Sequence, residues 1–217
     1  LDKTVYPPKG PGQAAQLEAN VRAMAAFERA GGFVFPVTGN NLPQAQVKFT
    51  DGAGRQLRAL GRHPGIYCNG ALVLGPGGAE LERHSLGALR MRAAPRTSFV
   101  AALLDFWADA AHAPLLAGLG LLFFLPDQLV CVDDGLHDGC SLVRAFCDSQ
   151  RVRPATMGAA ELRAAEARVL QVIFLFPPLA SGEAYEERCR PWQRRVQEAM
   201  EAAGLTDCAL PSLLGGG

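Results

Sequence analysis

The stretch that decides the fold is residues 33–41, FVFPVTGNN. Its first five residues, 33–37, are all apolar, and a short run of this kind is typical of a strand that is buried on both faces. Two glycines precede the run, and the polar residues 38–41 follow it. The sequence therefore predicts a central parallel strand over residues 33–37, with Thr38 at its carboxyl end.

The segments on either side of this stretch predict an α/β arrangement. Upstream, apolar residues at helical spacing predict an amphipathic helix that ends at the two glycines: Leu17, Val21, Met24 and Phe27. Downstream, a second helix is expected over residues 47–60, followed by a short strand in GIYC, residues 65–68. Strand, helix and strand with short links are the pattern of a parallel α/β sheet.

The pattern changes after residue 69. NGALVLGPGGAELERHSL, residues 69–86, contains two extended runs around Gly-Pro-Gly-Gly and predicts a hairpin. Beyond it we expect a helix through Trp107, strands in LGLLFFL, LVCVD and VLQVIFLF, and helices near 138–148, 158–167 and 183–203. The predicted fold class is α/β, with a partial core in residues 1–85 and a separate α+β domain in residues 86–217.

Composition indicates a globular protein and excludes some classes of partner. Hydrophobic residues make up 49% of the 217 residues and charged residues 19%. The 21 basic residues equal the 21 acidic ones, so charge does not favour binding to nucleic acid or to an anionic membrane. The longest apolar run, residues 113–126, is too short to span a bilayer.

The six cysteines show no CxxC motif and no zinc-finger spacing with histidine. This pattern favours reduced thiols over a disulfide framework. An intracellular, reducing compartment is therefore expected.

Two polar clusters lie where a parallel α/β sheet usually carries its functional residues, at the carboxyl ends of strands. Residues 2–4 precede the first predicted helix, and residues 38–41 follow the predicted strand. A carboxylate can act as nucleophile or proton donor, while a hydroxyl and backbone N–H groups can hold phosphate oxygens. The alternative is that Asp2 and Thr4 cap a helix and that Thr38 and Gly39 form an ordinary turn.

The order of these motifs resembles the Cof-type phosphatases of the haloacid dehalogenase-like superfamily, which carry a large inserted cap. The segments that carry the resemblance are Asp2-Lys3-Thr4, VTGNN at 37–41, and PGIYCNGALVLGPGGAELERHSL at 64–86. The later stretches VLQVIFLF and CRPWQRRV are similar to a plant plastid branch of this family.

The resemblance implies a partial haloacid dehalogenase-type parallel-sheet core with an inserted α+β cap. Asp2 would be the general acid and base, would offer its backbone carbonyl to Mg²⁺, and would share the catalytic loop with Thr4. Thr38 and Gly39 would bind phosphate. The substrate cleft would contain Asn40, Asn69 and Gly70.

The implied reaction is Mg²⁺-dependent hydrolysis of a small phosphorylated metabolite, a sugar phosphate or flavin mononucleotide, through an aspartyl-phosphate, in a plastid or the cytoplasm. This sequence departs from the family in two ways. Asn40 stands where a basic residue is usual, and neither the phosphate-neutralising lysine nor the Gly-Asp-x-x-Asn-Asp metal loop is found. The nucleophilic Asp would precede Leu1, so residues 1–217 are expected to be inactive by themselves. The alternative function is a non-catalytic interaction or structural subunit with protein partners in a larger assembly.

Overall fold

The computed structural model describes residues 6–7, 10–51, 54–133, 139–177 and 185–207. The chain divides into two compact units. Unit 1 comprises residues 1–84 and 150–152, and unit 2 comprises residues 85–149 and 153–217.

Unit 1 contains helices α1 (Gln13–Arg29) and α2 (Leu42–Lys48). Alanine, the strongest helix former, recurs along α1, and Gly31 (φ 88°) follows its end in the left-handed conformation that glycine adopts without strain. Asn41 begins α2 with a capping box: its side chain accepts a hydrogen bond from the Gln44 amide, and the Gln44 side chain accepts one from the Asn41 amide. Helix α2 therefore starts directly after the polar loop 38–41.

The prediction of a helix over residues 47–60 is wrong, because the chain turns back after α2. The Asp51 amide donates to the Arg55 carbonyl (2.9 Å), and the Arg55 amide donates to the Asp51 carboxylate (2.8 Å). Thr50 and Gln56 then form an antiparallel bridge. The sequence around this turn is Asp-Gly-Ala-Gly, and Asp and Gly favour turns over helix interiors.

A three-stranded antiparallel sheet completes unit 1, with β1 (Gly65–Tyr67), β2 (Leu72–Leu74) and β3 (Glu80–Arg83) in the order β1-β2-β3. The predicted hairpin is confirmed, since β2 pairs with β3 across the Gly-Pro-Gly-Gly turn. A parallel bridge joins Val37 to Ile66 in β1. The predicted parallel pairing of these two segments is therefore present, although it is short.

The prediction that residues 33–37 form a central strand buried on both faces is wrong. Their side chains alternate: Phe33, Phe35 and Val37 are 65%, 43% and 56% exposed, whereas Pro36 is buried. Pro36 also lacks an amide hydrogen, which limits the ladder that this segment can form. The residues that the structure describes cover only one face of the segment.

Unit 2 is built around a four-stranded sheet in the order β6-β5-β4-β7. Strand β4 is antiparallel to β5 and to β7, while β5 and β6 are parallel. The elements are α3 (Phe99–Ala108), α4 (Ala113–Leu116), β4 (Gly120–Phe124), β5 (Leu129–Val132), α5 (Gly139–Ser149), β6 (Ala155–Met157), α6 (Ala159–Ala164), β7 (Gln171–Leu175) and α7 (Tyr185–Ala202). The sequence predicted all of these strands except β6, which is three residues long and follows a proline.

The core of unit 2 lies between the sheet and helices α3, α4 and α7. Leu103 and Trp107 of α3 pack there with Phe123 of β4, and each buried side chain of this size contributes about 1.5–3 kcal/mol. The Trp192 indole of α7 donates a hydrogen bond to the Leu115 carbonyl (2.7 Å), which ties α7 to α4. No helix among the described residues has the length and apolar character needed to cross a membrane.

Candidate functional site

The polar loop 38–41 is held against the end of β1 by backbone hydrogen bonds. The Thr38 amide donates to the Ile66 carbonyl (3.0 Å), and the Asn69 amide donates to the Thr38 carbonyl (3.2 Å). Between them, the Cys68 amide donates to the Asn40 carbonyl (3.0 Å). The loop and the turn after β1 therefore form one cluster, which contains five of the predicted site residues: Thr38, Gly39, Asn40, Asn69 and Gly70.

Thr38 is buried, and the hydrogen bonds around it define which way its hydroxyl can donate. Thr38 is only 7% exposed, and its Oγ1 accepts hydrogen bonds from the Asn40 amide (3.2 Å) and from Asn40 Nδ2 (3.1 Å). A hydroxyl has two acceptor sites and one hydrogen to donate. Both acceptor sites are occupied, and none of the described residues accepts the hydrogen. The hydroxyl is therefore available as a donor to a ligand oxygen.

Gly39 adds a second donor beside the hydroxyl. Its backbone N–H makes no hydrogen bond within the part of the chain that the structure describes. A Cβ at Gly39 would lie 2.8 Å from Oδ1 of Asn69, so a larger residue would push the Asn69 side chain away. Two neighbouring donors, one hydroxyl and one amide, are the groups that bind phosphate oxygens in many sites.

The turn after β1 has an unusual backbone. Cys68, Asn69 and Gly70 have φ values of 49°, 55° and 99°, so three consecutive residues are left-handed. This conformation costs roughly 1–2 kcal/mol for most residues, and such strain is common near functional sites. Asn-Gly is a turn signal, but nothing in the sequence marks Cys68 as left-handed. Gly70 is half-buried and Asn69 is exposed, so the cluster reaches solvent through Asn69.

The Cys68 thiol does not supply a charge or a nucleophile to this cluster. Its side chain is buried, and burial raises the pKa of Cys68 to about 12. The thiol is therefore protonated at neutral pH. Five cysteines lie among the described residues, and none of them forms a disulfide there: Cys68, Cys131, Cys140, Cys147 and Cys189.

The buried arginine of unit 1 is committed to a carboxylate. Arg58 donates to both oxygens of Glu28 (2.7 and 3.1 Å) and to the Val34 carbonyl (3.2 Å). The hydrogen bond from Arg58, more than the other influences on it, holds the pKa of Glu28 below its ordinary value. This guanidinium joins the end of α1 to the extended segment 33–37 and is not a free cation for a phosphate group.

A groove of about 230 Å³ lies on the surface of unit 1, and residues 38–41 are not among the described residues that line it. Glu18, Arg22 and Arg55 line it. Its two arginines are about 70% exposed, and Arg55 pairs with Asp51 (2.9 Å) as well as with Glu18 (3.8 Å). Exposed arginines that are already paired with carboxylates do not form a specific binding site for an anion.

The described residues do not fit a Mg²⁺ site. Within them, no group of three or more His, Cys, Asp or Glu side chains could hold a metal ion. Mg²⁺ needs oxygen ligands, usually including one or two carboxylates. Asp2 and Thr4, the predicted catalytic residues, lie outside the described residues, as does the predicted carbonyl ligand of Asp2.

Sequence reasoning predicted that Thr38 and Asn69 lie close together but did not predict the side-chain hydrogen bond of Asn40. The place of Asn40 in a substrate cleft stays a prediction, and its side chain donates to the hydroxyl two residues before it. The signal was present, because Thr and Asn side chains two residues apart often bond within a turn. The sequence alone does not show which of them donates.

Solved structures with a similar fold include members of the haloacid dehalogenase (HAD) superfamily. A HAD/COF-like hydrolase from Plasmodium vivax matches with a TM-score of 0.57 at 13% identity, over 93% of this chain and 60% of that one. A HAD subclass IIB sugar phosphatase matches with a TM-score of 0.51 at 16% identity, over 88% and 58% of the two chains. A hypothetical protein from Geobacillus kaustophilus gives a TM-score of 0.51 at 17% identity, over 91% and 60%.

These likenesses establish the fold class, an α/β fold of the HAD type. No family model matches the sequence. No curated protein matches it significantly. The chain spans about 60% of the length of the solved structures that it resembles.

Proposed function

We propose that loop 38–41 is the phosphate-binding loop of a Cof-type phosphatase. The observation that carries this proposal is the hydroxyl of the buried Thr38, which accepts two hydrogen bonds and donates none to the described residues. The N–H of Gly39, which also has no acceptor among the described residues, supports it. A phosphate group carries only acceptor oxygens at its dianionic end, so a cluster of donors is complementary to it.

The proposed substrate is a small phosphorylated metabolite. A sugar phosphate is favoured by the likeness in fold to a sugar phosphatase, and flavin mononucleotide is the other substrate that the plastid resemblance suggests. In this proposal residues 1–85 are part of the catalytic core and residues 86–217 are the cap that selects the substrate. The protein would work in a plastid or in the cytoplasm.

Hydrolysis requires more than the loop provides. Phosphoryl transfer needs a nucleophile, a cation that offsets the phosphate charge, and bound metal. In the proposed reaction Asp2 protonates the leaving oxygen and then activates water, and Thr4 supports the loop that carries Asp2. Mg²⁺ would be held largely by carboxylates that are not found among the described residues. For the 217-residue chain itself we therefore expect phosphate binding without turnover.

Substitution of Thr38 tests the proposal directly. Thr38→Val keeps the shape of the side chain but removes the hydroxyl, and we expect it to weaken binding of inorganic phosphate about tenfold or more, since a hydrogen bond to a charged group contributes about 1.5–3 kcal/mol. Thr38→Ser keeps the hydroxyl and serves as the matched control. Isothermal titration of the three proteins gives the dissociation constants. Equal affinity of the Val variant and the wild type would show that the hydroxyl does not bind phosphate.

An activity assay tests the catalytic part separately. The 217-residue chain should release no phosphate from a panel of sugar phosphates and flavin mononucleotide in the presence of Mg²⁺. A form that also supplies the nucleophile and the metal ligands should do so, and Asp2→Asn should slow that form about a hundredfold, the usual scale of acid–base catalysis. Turnover by the 217-residue chain would contradict the assignment of roles.

A non-catalytic interaction subunit is the second candidate function. The exposed apolar side chains of Phe33, Phe35 and Val37 favour it, because a contiguous apolar face is typical of surfaces that contact other polypeptide. A protein that binds no phosphate would favour this candidate. Phosphate binding that depends on Thr38 would favour the phosphatase.

A further inference from the structure

Asn40 acts on the same hydroxyl that the proposed function uses. Its backbone amide and its side-chain Nδ2 both donate to Thr38 Oγ1, at 3.2 and 3.1 Å. The Asn40 carbonyl accepts a hydrogen bond from the Cys68 amide, which fixes the backbone from which both donors extend. Asn40 is half-buried, so its amide is partly shielded from competing water.

We propose that Asn40 is a positioning residue that makes Thr38 an obligate hydrogen-bond donor to a bound anion. The inference rests on the proposed phosphate-binding function. Asn40 does not itself need to touch the anion. It occupies the second acceptor site of the Thr38 hydroxyl, so the single hydroxyl hydrogen is left for the ligand.

This role depends on the chemistry of the amide. Nδ2 is a donor, and a neighbouring hydroxyl must accept from it. A carboxylate of nearly the same shape offers only acceptor atoms, so Asn40→Asp would draw the Thr38 hydrogen toward position 40 and turn lone pairs toward the anion. Asn40→Ala removes the Nδ2 donor and leaves the backbone donor in place. The two variants should therefore weaken anion binding to different extents.

The experiment is a titration of the 217-residue chain with inorganic phosphate, at low and high salt, for the wild type, Asn40→Ala and Asn40→Asp. Asn20→Asp on α1 is the matched control, because it makes the same change of charge away from the loop. We expect Asn40→Ala to bind about fivefold more weakly, the effect of losing one ordinary hydrogen bond. Asn40→Asp should bind about fiftyfold more weakly, and Asn20→Asp should match the wild type.

Salt separates a local effect at position 40 from long-range repulsion. Repulsion that acts through solvent over more than a Debye length is screened by salt, so a loss of affinity caused by long-range charge alone would largely disappear at high salt. A loss of phosphate affinity that is caused by the reoriented Thr38 hydroxyl persists at both salt concentrations. The Asn40→Asp variant should then keep a thermal midpoint close to that of the wild type.

Three outcomes would overturn the inference: both variants within twofold of the wild type, a deficit of Asn40→Asp confined to low salt, or losses of affinity that merely follow losses of thermal stability. Failure of the wild type to bind phosphate would instead overturn the proposed function, and this inference with it.

Discussion

At the scale of single residues, the backbone of Asn69 limits which side chains the turn after β1 can carry. Asn69 has φ 55° and ψ 32°, within the left-handed region. Asparagine tolerates this conformation better than most residues, and glycine adopts it without strain. The choice of Asn over Gly is therefore consistent with a role for its side chain, which lies over Gly39.

Replacement of Asn69 by alanine and by glycine separates backbone strain from side-chain contacts. Both variants remove the amide that lies over Gly39, so the difference between them reports the backbone alone. We expect Asn69→Ala to be about 1 kcal/mol less stable than Asn69→Gly, because a Cβ in the left-handed region costs roughly this amount. Urea denaturation measures the difference. Equal stability of the two variants would show that the left-handed conformation is absent in solution.

At the scale of elements, Arg58 links α1 to the segment 33–37. Its side chain is 7% exposed, and it bonds both Glu28 near the end of α1 and the Val34 carbonyl. A buried arginine is stable only while its carboxylate partner is ionised or its donors are otherwise satisfied. The packing of α1 on this segment should therefore depend on pH.

The ionisation of Glu28 gives this dependence a definite sign. The hydrogen bond from Arg58, and more weakly the charges of Arg58 and His63, lower the pKa of Glu28 in the folded protein, against an opposing effect of burial. Because the folded pKa is below the unfolded one, the stabilisation is complete above the ordinary carboxyl pKa of about 4.3 and is lost as the pH falls through the folded value. We expect the wild type to lose more stability than Glu28→Gln between about pH 5 and pH 2. Chemical denaturation of both proteins across this range tests the prediction. Unfolding free energies that fall in parallel for the two proteins would contradict it.

The apolar face of residues 33–37 also belongs to this scale. The rings of Phe33 and Phe35 lie with their centroids 5.5 Å apart and their planes tilted by 43°, and both side chains are exposed. A double variant, Phe33→Ser with Phe35→Ser, should reduce binding of a hydrophobic fluorescent dye and change the unfolding free energy by less than about 1 kcal/mol, because few contacts are lost. Leu81→Ser, at an exposed leucine of β3, is the matched control. A large loss of stability would mean that the two rings are buried in solution.

Prediction from sequence succeeded where the pattern of apolar residues was local. The strands β4, β5 and β7 and the hairpin β2–β3 have side-chain patterns and turn residues that need no knowledge of distant neighbours. The prediction that residues 33–37 are buried on both faces was wrong, because their apolar composition cannot show which face other residues cover. Within the candidate site, the meeting of Thr38 with Asn69 followed from the parallel order of strands. The direction of the Asn40 hydrogen bond is set by rotamers and could not be predicted.

At the scale of the whole molecule, the chain consists of two compact units. Its fold class is that of the HAD-type structures it resembles, and it spans about 60% of their length. Unit 1 contains the polar loop and the uncovered apolar face, and unit 2 has a sheet and core of its own. A shared fold does not by itself assign an activity, so the functional argument rests on the donors of the loop.

The most direct test of the phosphate-binding loop is an NMR titration of the ¹⁵N-labelled 217-residue chain with inorganic phosphate. Gly39 carries an amide that makes no hydrogen bond among the described residues, and Gly75 carries one that is already bonded, to the Ala79 carbonyl at 2.7 Å. We predict large, saturable shifts for the amides of Gly39 and Asn40 and little change at Gly75. In Thr38→Val the same amides should need about tenfold more phosphate, or still more, to reach half of their shift. An unchanged Gly39 amide at saturating phosphate, or half-saturation of Thr38→Val at the wild-type phosphate concentration, would contradict the assignment of residues 38–41 as a phosphate-binding loop.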